Sequence, residues 1–313
     1  MKLNMNKTIK IFAPASVANL VCGFDVLGMS LSDPADEMIM SLSKTPGIQI
    51  VHEDEYGLPE EAEKNVTGAA LLEMMKHLDP LTGFSVRINK KIKPGSGLGS
   101  SAASAAGAVA GANVLLGNRF SNDDLVRFAM SGEKLASGVK HADNIAPCLL
   151  GGITLIRSIM PLDIITLSFP DLYVTVVHPQ IEVKTSDARQ ILRKQVLLKD
   201  AIRQWGNIAG LVAGFMQKDY ALIGRSLEDV IIEPVRSILI PGFDEVKERC
   251  KNAGALGGGI SGSGPSVFML SVEITTAKKV AEVMKEIYSC LGIDFKIYVT
   301  KIDEKGVRIN EIS

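Results

Sequence analysis

The feature that most constrains this chain is a glycine-rich loop that runs directly into an alanine-rich segment. Glycine permits backbone angles that other residues avoid, and it has no side chain to keep a ligand away from the backbone. The first turn of a helix offers unpaired amides and a partial positive charge, which together stabilise an anion. The helix is predicted to start near the second serine, so the segment indicates a phosphate-binding loop. Its residues are Pro94, Gly95, Ser96, Gly97, Leu98, Gly99, Ser100, Ser101 and Ala102.

Three other interpretations of this loop can be compared with the sequence. A Walker loop requires a lysine directly after its last glycine, and no lysine follows Gly99. The dinucleotide pattern G-x-G-x-x-A fits Gly97–Ala102, but it normally follows a buried parallel strand, whereas Phe84–Ile92 alternates apolar with polar and charged residues. A flexible linker is not expected to lead into an Ala-rich helix. A triphosphate-binding loop of another design therefore fits best.

Composition and charge narrow the class of protein. Of the 313 residues, 46% are hydrophobic and 22% charged, as in an ordinary globular enzyme. A net charge of −1 gives no electrostatic case for a nucleic-acid partner. Met1–Lys10 lacks the apolar core of a signal peptide, and Ala102–Leu116 is too short for a membrane span. The four cysteines form no metal-binding pairs and are interpreted as reduced thiols. The sequence thus predicts a cytoplasmic protein without a membrane or nucleic-acid partner.

The pattern of apolar residues predicts an α+β chain. Strands and helices are grouped rather than strictly alternating, and a boundary is predicted near Met160–Pro161. Asn65 is a candidate helix cap, Ala13–Gly28 is predicted to be a loop, and the Ala-rich segment is interpreted as a buried helix. The predicted strands are Thr8–Phe12, Glu37–Leu42, Ile48–His52, Phe84–Ile92, Gly151–Ile156, Ile164–Leu167, Leu172–Val177, Ser266–Leu270 and Phe295–Thr300, and the predicted helices include Val66–Leu78, Lys199–Met216, Phe243–Asn252 and Thr276–Ser289.

Three segments in order resemble the motifs of the GHMP kinase family. Pro94–Ala102 is similar to the second motif, P-x-x-x-G-L-G-S-S-A, while Pro14–Asp25 and Gly259–Ser266 are similar to the first and third. The resemblance implies a two-domain α+β fold. It implies an N-terminal ATP-binding domain like ribosomal protein S5 domain 2 over residues 1–160, and a ferredoxin-like α/β-plait domain over residues 161–313.

Further matches resemble the homoserine kinase branch of that family. They are Ala18–Asp25 (A-N-L-x-x-G-F-D), Glu133 with Lys140–Pro147, Thr185 with Ala188-Arg189, and Glu233–Arg236. Val21 departs from the pattern, because the family usually has glycine there. The resemblance implies that ATP, with Mg²⁺, phosphorylates L-homoserine to O-phospho-L-homoserine, a step toward threonine. A homodimer is also a family expectation.

The resemblance implies roles for individual residues that suit their chemistry. Guanidinium groups grip a carboxylate through paired bonds, a carboxylate binds an ammonium, and Mg²⁺ prefers oxygen ligands. Taken singly, each residue has an ordinary structural alternative, such as a turn aspartate or a capping histidine. The implied residues are Asn19, Asp25, His141, Asp143, Arg189 and Arg236 for the substrate; Asn144, which would orient the hydroxyl, and Arg189 for catalysis; Ser100 and Glu133 for the metal; and Asn65, Val66 and Pro94–Ala102 for the nucleotide.

Several alternatives stay open at this point. A mevalonate-type kinase would bind an acceptor without an ammonium, whereas Asp25 and Asp143 beside two arginines suit an amino acid. A non-catalytic nucleotide- or metabolite-binding protein would be favoured by loss of Glu133 or the loop serines, and all are present. A nucleic-acid module on a related fold is opposed by the net charge. Gly259–Pro265 either contacts phosphate or supports the loop and closes the pocket.

Overall fold

In the computed structural model, which describes residues 4–183 and 185–312 apart from the side chains of Ser137, Thr185 and Ser186, the strands form a seven-stranded and a four-stranded sheet. The first sheet contains β1 (Thr8–Ala18), β2 (Leu27–Leu42), β3 (Gly47–His52), β4 (Gly83–Asn89), β5 (Ile153–Ile159), β6 (Leu162–Leu167) and β11 (Arg308–Glu311). Its order is β11-β1-β2-β4-β3, and the β5-β6 hairpin joins through the start of β2. Neighbours are antiparallel except β3 and β4.

The second sheet is antiparallel throughout and has the strand order of a ferredoxin-like plait. Its strands are β7 (Tyr173–Pro179), β8 (Gly257–Ile260), β9 (Val267–Ser271) and β10 (Phe295–Lys301). Their order in space is β10-β7-β9-β8, so the last and first strands of the unit are neighbours. This order confirms the plait that the family resemblance implied for the C-terminal half.

The helices fall into groups that accompany the two sheets. The first group, α1 to α4, packs together, and α2 contacts β1 and β2; α9 and α10 pack on the second sheet. The bounds are α1 (Val66–Met75), α2 (Ser100–Leu115), α3 (Asn122–Ser137), α4 (Ile145–Leu150), α5 (Thr185–Gln190), α6 (Leu198–Gln217), α7 (Tyr220–Ser226), α8 (Glu233–Arg236), α9 (Phe243–Asn252) and α10 (Ile274–Leu291), with a 3₁₀ turn at Ser237–Leu239.

The alanine-rich helix α2 lies in the core, as the sequence predicted. Almost every residue from Ser100 to Leu115 is buried. Its glycines allow close approach to the sheet, since a Cβ on Gly111 would meet Ile11 Cδ1 at 2.3 Å and one on Gly107 would meet Ala13 Cβ at 3.1 Å. The small residues therefore bring the middle and the C-terminal half of this helix tightly against β1 and β2.

The predicted loop at Ala13–Gly28 is the main correction to the secondary structure. β1 continues to Ala18, and β2 begins at Leu27, so only the middle of the segment is a turn. Ala13, Ala15 and Val17 are fully buried, and residues 13–18 pair with β2 across an irregularity near residue 15. Tertiary pairing therefore outweighs the proline and serine content that indicated a loop.

The α+β class is confirmed, and pairing continues beyond residue 160. β6 pairs with β5, and β11 returns to pair with β1, so both belong to the first sheet. The division into residues 1–160 and 161–313 stays a prediction about domains. Within the described parts of the chain, no helix is both long enough and apolar enough to cross a membrane.

Candidate active site

A cavity of about 530 Å³ brings the three motifs together. Residues from β1, from the loop before α2 and from the segment after β8 line it, so positions far apart in sequence meet at one place. The predicted residues that line it are Asn19, Asp25, Asn65, Val66, Pro94, Gly95, Ser96, Gly97, Gly99, Ser100, Ser101, Glu133, His141, Asp143, Asn144, Arg189 and Arg236. Leu98 and Ala102 are buried and are not among its lining residues.

The glycine–serine loop has the backbone of an anion site at a helix start. Gly95, Gly97 and Gly99 all have positive φ values, of 74°, 79° and 67°. Gly99 is the N-cap of α2 and provides no side-chain cap, so the first amides of the helix are left to face the cavity. A Cβ on Gly99 would meet Ser16 Oγ at 2.0 Å. Glycine is therefore required there by both backbone angle and space.

The third motif, Gly259–Ser266, contacts the backbone of this loop. Ser261 Oγ donates to the Gly97 carbonyl at 2.6 Å, and Ser266 Oγ donates to the Ser96 carbonyl at 2.6 Å. A Cβ on Gly97 would lie 2.6 Å from the Gly264 carbonyl oxygen. These contacts give Gly259–Pro265 a structural role beneath the loop, while Gly262 and Ser263 also line the cavity.

Hydroxyl and carboxylate oxygens meet at the start of α2. Ser101 Oγ donates to Glu133 Oε2 at 2.7 Å, whereas Ser100 Oγ donates to the Ile92 carbonyl at 2.8 Å. The hydroxyl that contacts the predicted metal-binding carboxylate is thus that of Ser101. Within the described chain, no group of three or more His, Cys, Asp or Glu side chains could hold a metal.

Lys90, one of the lysines just upstream of the loop, is part of a buried ion pair. Its Nζ lies 2.5 Å from Asp36 Oδ2 and also donates to Ser104 Oγ and the Ser100 carbonyl. Asp36 in turn accepts the amides of Lys91 and Ile92. The pair fixes the segment before the loop. The charge of Lys90 is already neutralised by Asp36.

The acidic and basic residues predicted for the substrate form one cluster. Both carboxylate oxygens of Asp25 accept from Arg189 Nη2, at 2.9 and 3.0 Å, and His141 Nδ1 lies 3.6 Å from Asp25 Oδ1. Burial is the main reason that the pKa of His141 is lowered, with Asp25 opposing the shift. His141 Nε2 is buried and has no hydrogen-bond partner among the described residues, so it is a candidate contact for a ligand.

Arg236 is a buried guanidinium without a carboxylate partner among the residues described. Its Nε donates to the Ala188 carbonyl and its Nη1 to the Gly262 carbonyl. Burial, followed by repulsion from Arg189, lowers the pKa of Arg236 to about 10, so the group stays charged at neutral pH. The Phe24 ring lies 5.0 Å from the Arg236 Cζ and 5.5 Å from the Arg189 Cζ. The arrangement leaves a positive charge ready for an incoming carboxylate.

Comparison with known proteins gives the family of this chain. The family model described as GHMP kinases N terminal domain matches residues 65–152, and that described as GHMP kinases C terminal matches residues 211–290. A homoserine kinase of Chloroherpeton thalassium is 44% identical and aligns with 97% of this chain and 99% of its own. The chain belongs to the homoserine kinase family of GHMP kinases.

Solved structures agree with that assignment. The crystal structure of a homoserine kinase from Cytophaga hutchinsonii has a TM-score of 0.94 and 47% identity, and 99% of each chain is covered. The crystal structure of L. major mevalonate kinase in complex with R-mevalonate covers 96% of this chain and 98% of its own, with a TM-score of 0.71 and 17% identity, which shows the fold alone. The two-domain GHMP kinase fold that the motifs implied is thereby confirmed.

Asp143 and Asn144 occupy the homoserine kinase motif at the start of α4. Asp143 is almost fully buried, and this burial, with repulsion from Asp25 and Glu133, raises the pKa of its carboxyl to about 7. Asn144 Oδ1 accepts from Ser16 Oγ at 2.8 Å. That contact turns the amide so that Nδ2 is left to donate, and no hydrogen bond joins Nδ2 to the described chain.

Asn65 lines the cavity and stabilises the start of helix α1. Its Oδ1 caps α1 by accepting from the amides of Thr67 and Gly68, as predicted. Its Nδ2 donates to the Pro59 carbonyl at 2.5 Å and lies 2.9 Å from His52 Nε2. The side chain is therefore engaged by protein groups, and direct nucleotide contact by Asn65 or Val66 stays a prediction.

Sequence reasoning missed several residues that build the site. Phe24 and Ser16 both lie in the first motif, Pro14–Asp25, and that membership was the available signal. The contact of Ser16 with Asn144, 128 residues away, could not be seen in the sequence. Gln204, which donates to the Cys22 carbonyl 182 residues away, lies in no motif and gave no local signal.

Proposed function

We propose that this protein transfers the γ-phosphoryl group of ATP to the hydroxyl of L-homoserine and forms O-phospho-L-homoserine and ADP. The observation that carries the proposal is the presence, in one cavity, of the loop at the start of α2 and the cluster around Arg236. The first suits a polyphosphate, and the second suits a small molecule with a carboxylate and an ammonium. The 44% identity to a homoserine kinase over 97% of the chain supports the same acceptor.

The acceptor is held in this proposal by charge complementarity. The Arg236 guanidinium binds the carboxylate, because its charge has no ion-pair partner in the described structure. The Asp143 carboxylate binds the ammonium, since Asp25 is already paired with Arg189. Neutral His141 and the Asn19 side chain complete the pocket. Asn19 Oδ1 accepts from the Asp25 amide and its Nδ2 donates to the Gly262 carbonyl, so Asn19 also ties the first motif to the third.

Asn144 is proposed to orient the reacting hydroxyl. Its Nδ2 donates to the hydroxyl oxygen and leaves a lone pair directed at the γ-phosphorus. Phosphoryl transfer passes through a loose transition state, so positioning and charge neutralisation matter more than early proton removal. The loop amides hold the phosphates. Arg189 pairs with Asp25 through Nη2 alone, and its other N–H groups are proposed to stabilise charge on the transferred group.

Mg²⁺ is proposed to bind beside the loop. The Glu133 carboxylate and the hydroxyl oxygens of Ser100 and Ser101 form an oxygen donor set of the kind this ion prefers. The bound ion would neutralise charge on the phosphates. Ser100 donates its proton to Ile92, so its oxygen lone pairs are left for a ligand.

The role of Asn144 is tested by truncation. We expect Asn144→Ala to lower kcat at least ~100-fold, the size of effect seen when one such positioned donor is removed, with a smaller change in KM. Ser16→Ala, which leaves the amide present but unoriented, should lower kcat less. Near-normal turnover of Asn144→Ala would show that the assigned role is wrong.

The reaction itself is tested with a panel of acceptors. The protein is incubated with ATP, Mg²⁺ and either L-homoserine, mevalonate, galactose or shikimate, and ADP release is followed. Of the four acceptors, we expect only L-homoserine to cause rapid release of ADP. Release that depends on mevalonate instead, or no dependence on any acceptor, would contradict the proposal.

A further inference from the structure

Arg236 lies at the end of helix α8, which is a single turn. A helix this short is not stable on its own, so its position depends on contacts with the rest of the chain. One contact is made by the carboxylate of Asp229, which is buried and accepts from the amides of Ile231, Ile232 and Glu233 at 2.8, 3.0 and 3.1 Å. This carboxylate holds the backbone at the start of the turn.

A second contact is made by the carboxylate of Glu233, which is also buried. Its Oε1 accepts from the Ile260 amide at 2.8 Å, and its Oε2 lies 2.5 Å from Lys247 Nζ on helix α9. Burial raises the pKa of Glu233, and Lys247 is the first of the groups that oppose this shift, so the lysine favours the ionised carboxylate. Glu233 thereby joins α8 to α9 and to the end of β8.

The third motif leaves room for this carboxylate. A Cβ on Gly259 would lie 1.7 Å from Glu233 Oε1. Gly259 does not have a positive φ, so lack of space rather than backbone angle requires glycine there. A side chain at residue 259 would therefore displace the Glu233 carboxylate from the Ile260 amide.

The same motif contacts both the acceptor cluster and the phosphate loop. The Gly262 carbonyl accepts from Arg236 Nη1 at 3.1 Å, two residues beyond the amide that Glu233 holds. The hydroxyls of Ser261 and Ser266 donate to carbonyls of the phosphate loop. Movement of the third motif relative to α8 would thus change the distance between Arg236 and the phosphate loop.

We propose that Glu233 is a positioning residue for phosphoryl transfer: with Lys247, it fixes α8 to the third motif and so sets the distance from Arg236 to the phosphate loop. This role rests on the proposed function, in which Arg236 binds the carboxylate of homoserine. With that carboxylate fixed, the hydroxyl at the other end of the acceptor is held at a defined distance from the γ-phosphate. A displacement of about 1 Å can lower a rate ~100-fold, so the fixed distance matters for catalysis.

A positioning role and a purely structural role differ in what a substitution changes. General loss of stability affects all acceptors equally, whereas displacement of Arg236 affects only an acceptor that has a carboxylate. The quantity to measure is therefore the acceptor preference, defined as kcat/KM for L-homoserine divided by kcat/KM for 2-amino-1,4-butanediol. In that analogue a CH₂OH group replaces the carboxylate.

Glu233→Gln should lower the acceptor preference at least ~10-fold. Glutamine keeps the size of the side chain and one acceptor oxygen, but it loses the charge that pairs with Lys247, and charge-assisted hydrogen bonds are the stronger ones. Asp303→Asn is the matched control and should keep the preference of the wild type. Asp303 is equally buried, accepts from the amides of Lys305 and Gly306, and pairs with Arg308 within its own turn.

A double-mutant cycle with Arg236 makes the test specific. In an Arg236→Ala background, adding Glu233→Gln should change the acceptor preference less than ~2-fold, because the guanidinium that Glu233 positions is gone. An unchanged preference in Glu233→Gln alone would overturn the positioning role. An equal loss of preference in Asp303→Asn, or in both Arg236 backgrounds, would also overturn it.

Substitution of Lys247 keeps the inference testable if Glu233→Gln folds poorly. The Lys247 side chain is 24% exposed, so its replacement is better tolerated by the fold. Lys247→Met should lower the acceptor preference at least ~3-fold, in the same direction as Glu233→Gln, whereas Lys247→Arg keeps the charge and should keep the preference. An unchanged preference in Lys247→Met would overturn the role of the ion pair.

Hydrogen exchange separates a failure of this inference from a failure of the proposed function. In the full chain without ligands, Glu233→Gln should make the amides of residues 232–236 and 259–264 exchange at least ~10-fold faster than in the wild type or in Asp303→Asn. Unchanged exchange would overturn the positioning role even in an active enzyme. A wild type without homoserine-dependent ADP release would instead overturn the proposed function, while faster exchange in Glu233→Gln would still show that Glu233 fixes α8 to the third motif.

Discussion

Arg236 and Arg189 lie beside the same aromatic ring, but only Arg189 has a carboxylate partner in the described structure. Arg189 is paired with both carboxylate oxygens of Asp25, while Arg236 is held by backbone carbonyls alone among its described hydrogen-bond partners. A buried charge without a counterion is costly unless a ligand completes it. At this scale, the position of the unpaired charge identifies the place where an anionic group of the substrate binds.

Replacing Arg236 should weaken binding of the acceptor more than binding of ATP. For Arg236→Ala we expect the KM for homoserine to rise at least ~30-fold, because removing one partner of a buried charge pair costs about 2–5 kcal/mol. The control is an acceptor without the carboxylate, 2-amino-1,4-butanediol. The wild type should prefer homoserine strongly, and the variant should lose that preference. An unchanged preference would place the substrate carboxylate elsewhere.

Binding of homoserine should depend on pH through Asp143. Burial first, then Asp25 and Glu133, hold the pKa of this carboxyl at about 7 in the free protein. The ammonium of homoserine binds the ionised Asp143 carboxylate. The affinity for homoserine should therefore be highest above about pH 7, and below that pH it should decrease, by up to tenfold for each pH unit. Calorimetry of the nucleotide-free protein from pH 5.5 to 8.5 measures this slope. Asp143→Asn should bind more weakly and lose the slope; an equal slope in the variant would assign the titration to another group.

At the scale of elements, the shape of the phosphate loop depends on a turn in the C-terminal half of the chain. The loop leads into α2, and the turn after β8 donates hydroxyls to the loop carbonyls of Ser96 and Gly97. The second sheet thereby fixes the shape of a loop that belongs to the first. The third motif is therefore needed for the shape of the phosphate site.

Two glycines of the loop allow a matched test of this support. Gly97 and Gly95 have similar positive φ values, but a Cβ on Gly97 would approach Ser261 and Gly264 carbonyl oxygens within 2.7 Å, whereas one on Gly95 meets nothing within 4 Å. Gly97→Ala should raise the KM for ATP at least ~10-fold more than Gly95→Ala, which adds only backbone strain of about 1–2 kcal/mol. Equal effects would show that packing against the third motif does not set the loop.

The sequence predicts those elements whose signals are local. α9 begins and ends as predicted, Asn65 caps α1, and the helix after the glycine loop starts within one residue of the expected position. β8, at Gly257–Ile260, has three glycines among its four residues, so its strand propensity is low, and it forms because it pairs with β9. The motifs likewise located the cavity residues, but the Asp25–Arg189 pair and the Ser101–Glu133 contact depend on tertiary geometry.

At the scale of the whole molecule, the cavity exists because the two halves of the chain meet there. Asp25 comes from the turn between β1 and β2, and Arg189 and Arg236 come from segments after β7. Gln204 of α6 joins these parts, since it donates to the Cys22 carbonyl at 2.9 Å and accepts from the Val230 amide at 3.1 Å. Helix α6 therefore links the turn that carries Asp25 to the segment that leads to Arg236.

Gln204→Leu should weaken the packing around the acceptor pocket, although Gln204 is not among the residues proposed to contact the acceptor. It removes two buried hydrogen bonds, worth about 1 kcal/mol each, so we expect the KM for homoserine to rise up to ~30-fold while the KM for ATP changes little. Asn207→Leu, which removes a bond to the Glu228 carbonyl on an exposed part of α6, is the control and should keep both constants. Equal increases for both substrates in Gln204→Leu would contradict this coupling.

Phosphorus NMR of the reaction product tests the central claim most directly. The full-length protein is incubated with ATP, Mg²⁺ and L-homoserine, and ³¹P spectra are recorded with coupling to protons. We expect a phosphate monoester signal that is coupled to the two protons on the γ-carbon of homoserine and that appears in step with ADP. Formation of inorganic phosphate and ADP without that signal, or no consumption of ATP, would contradict it.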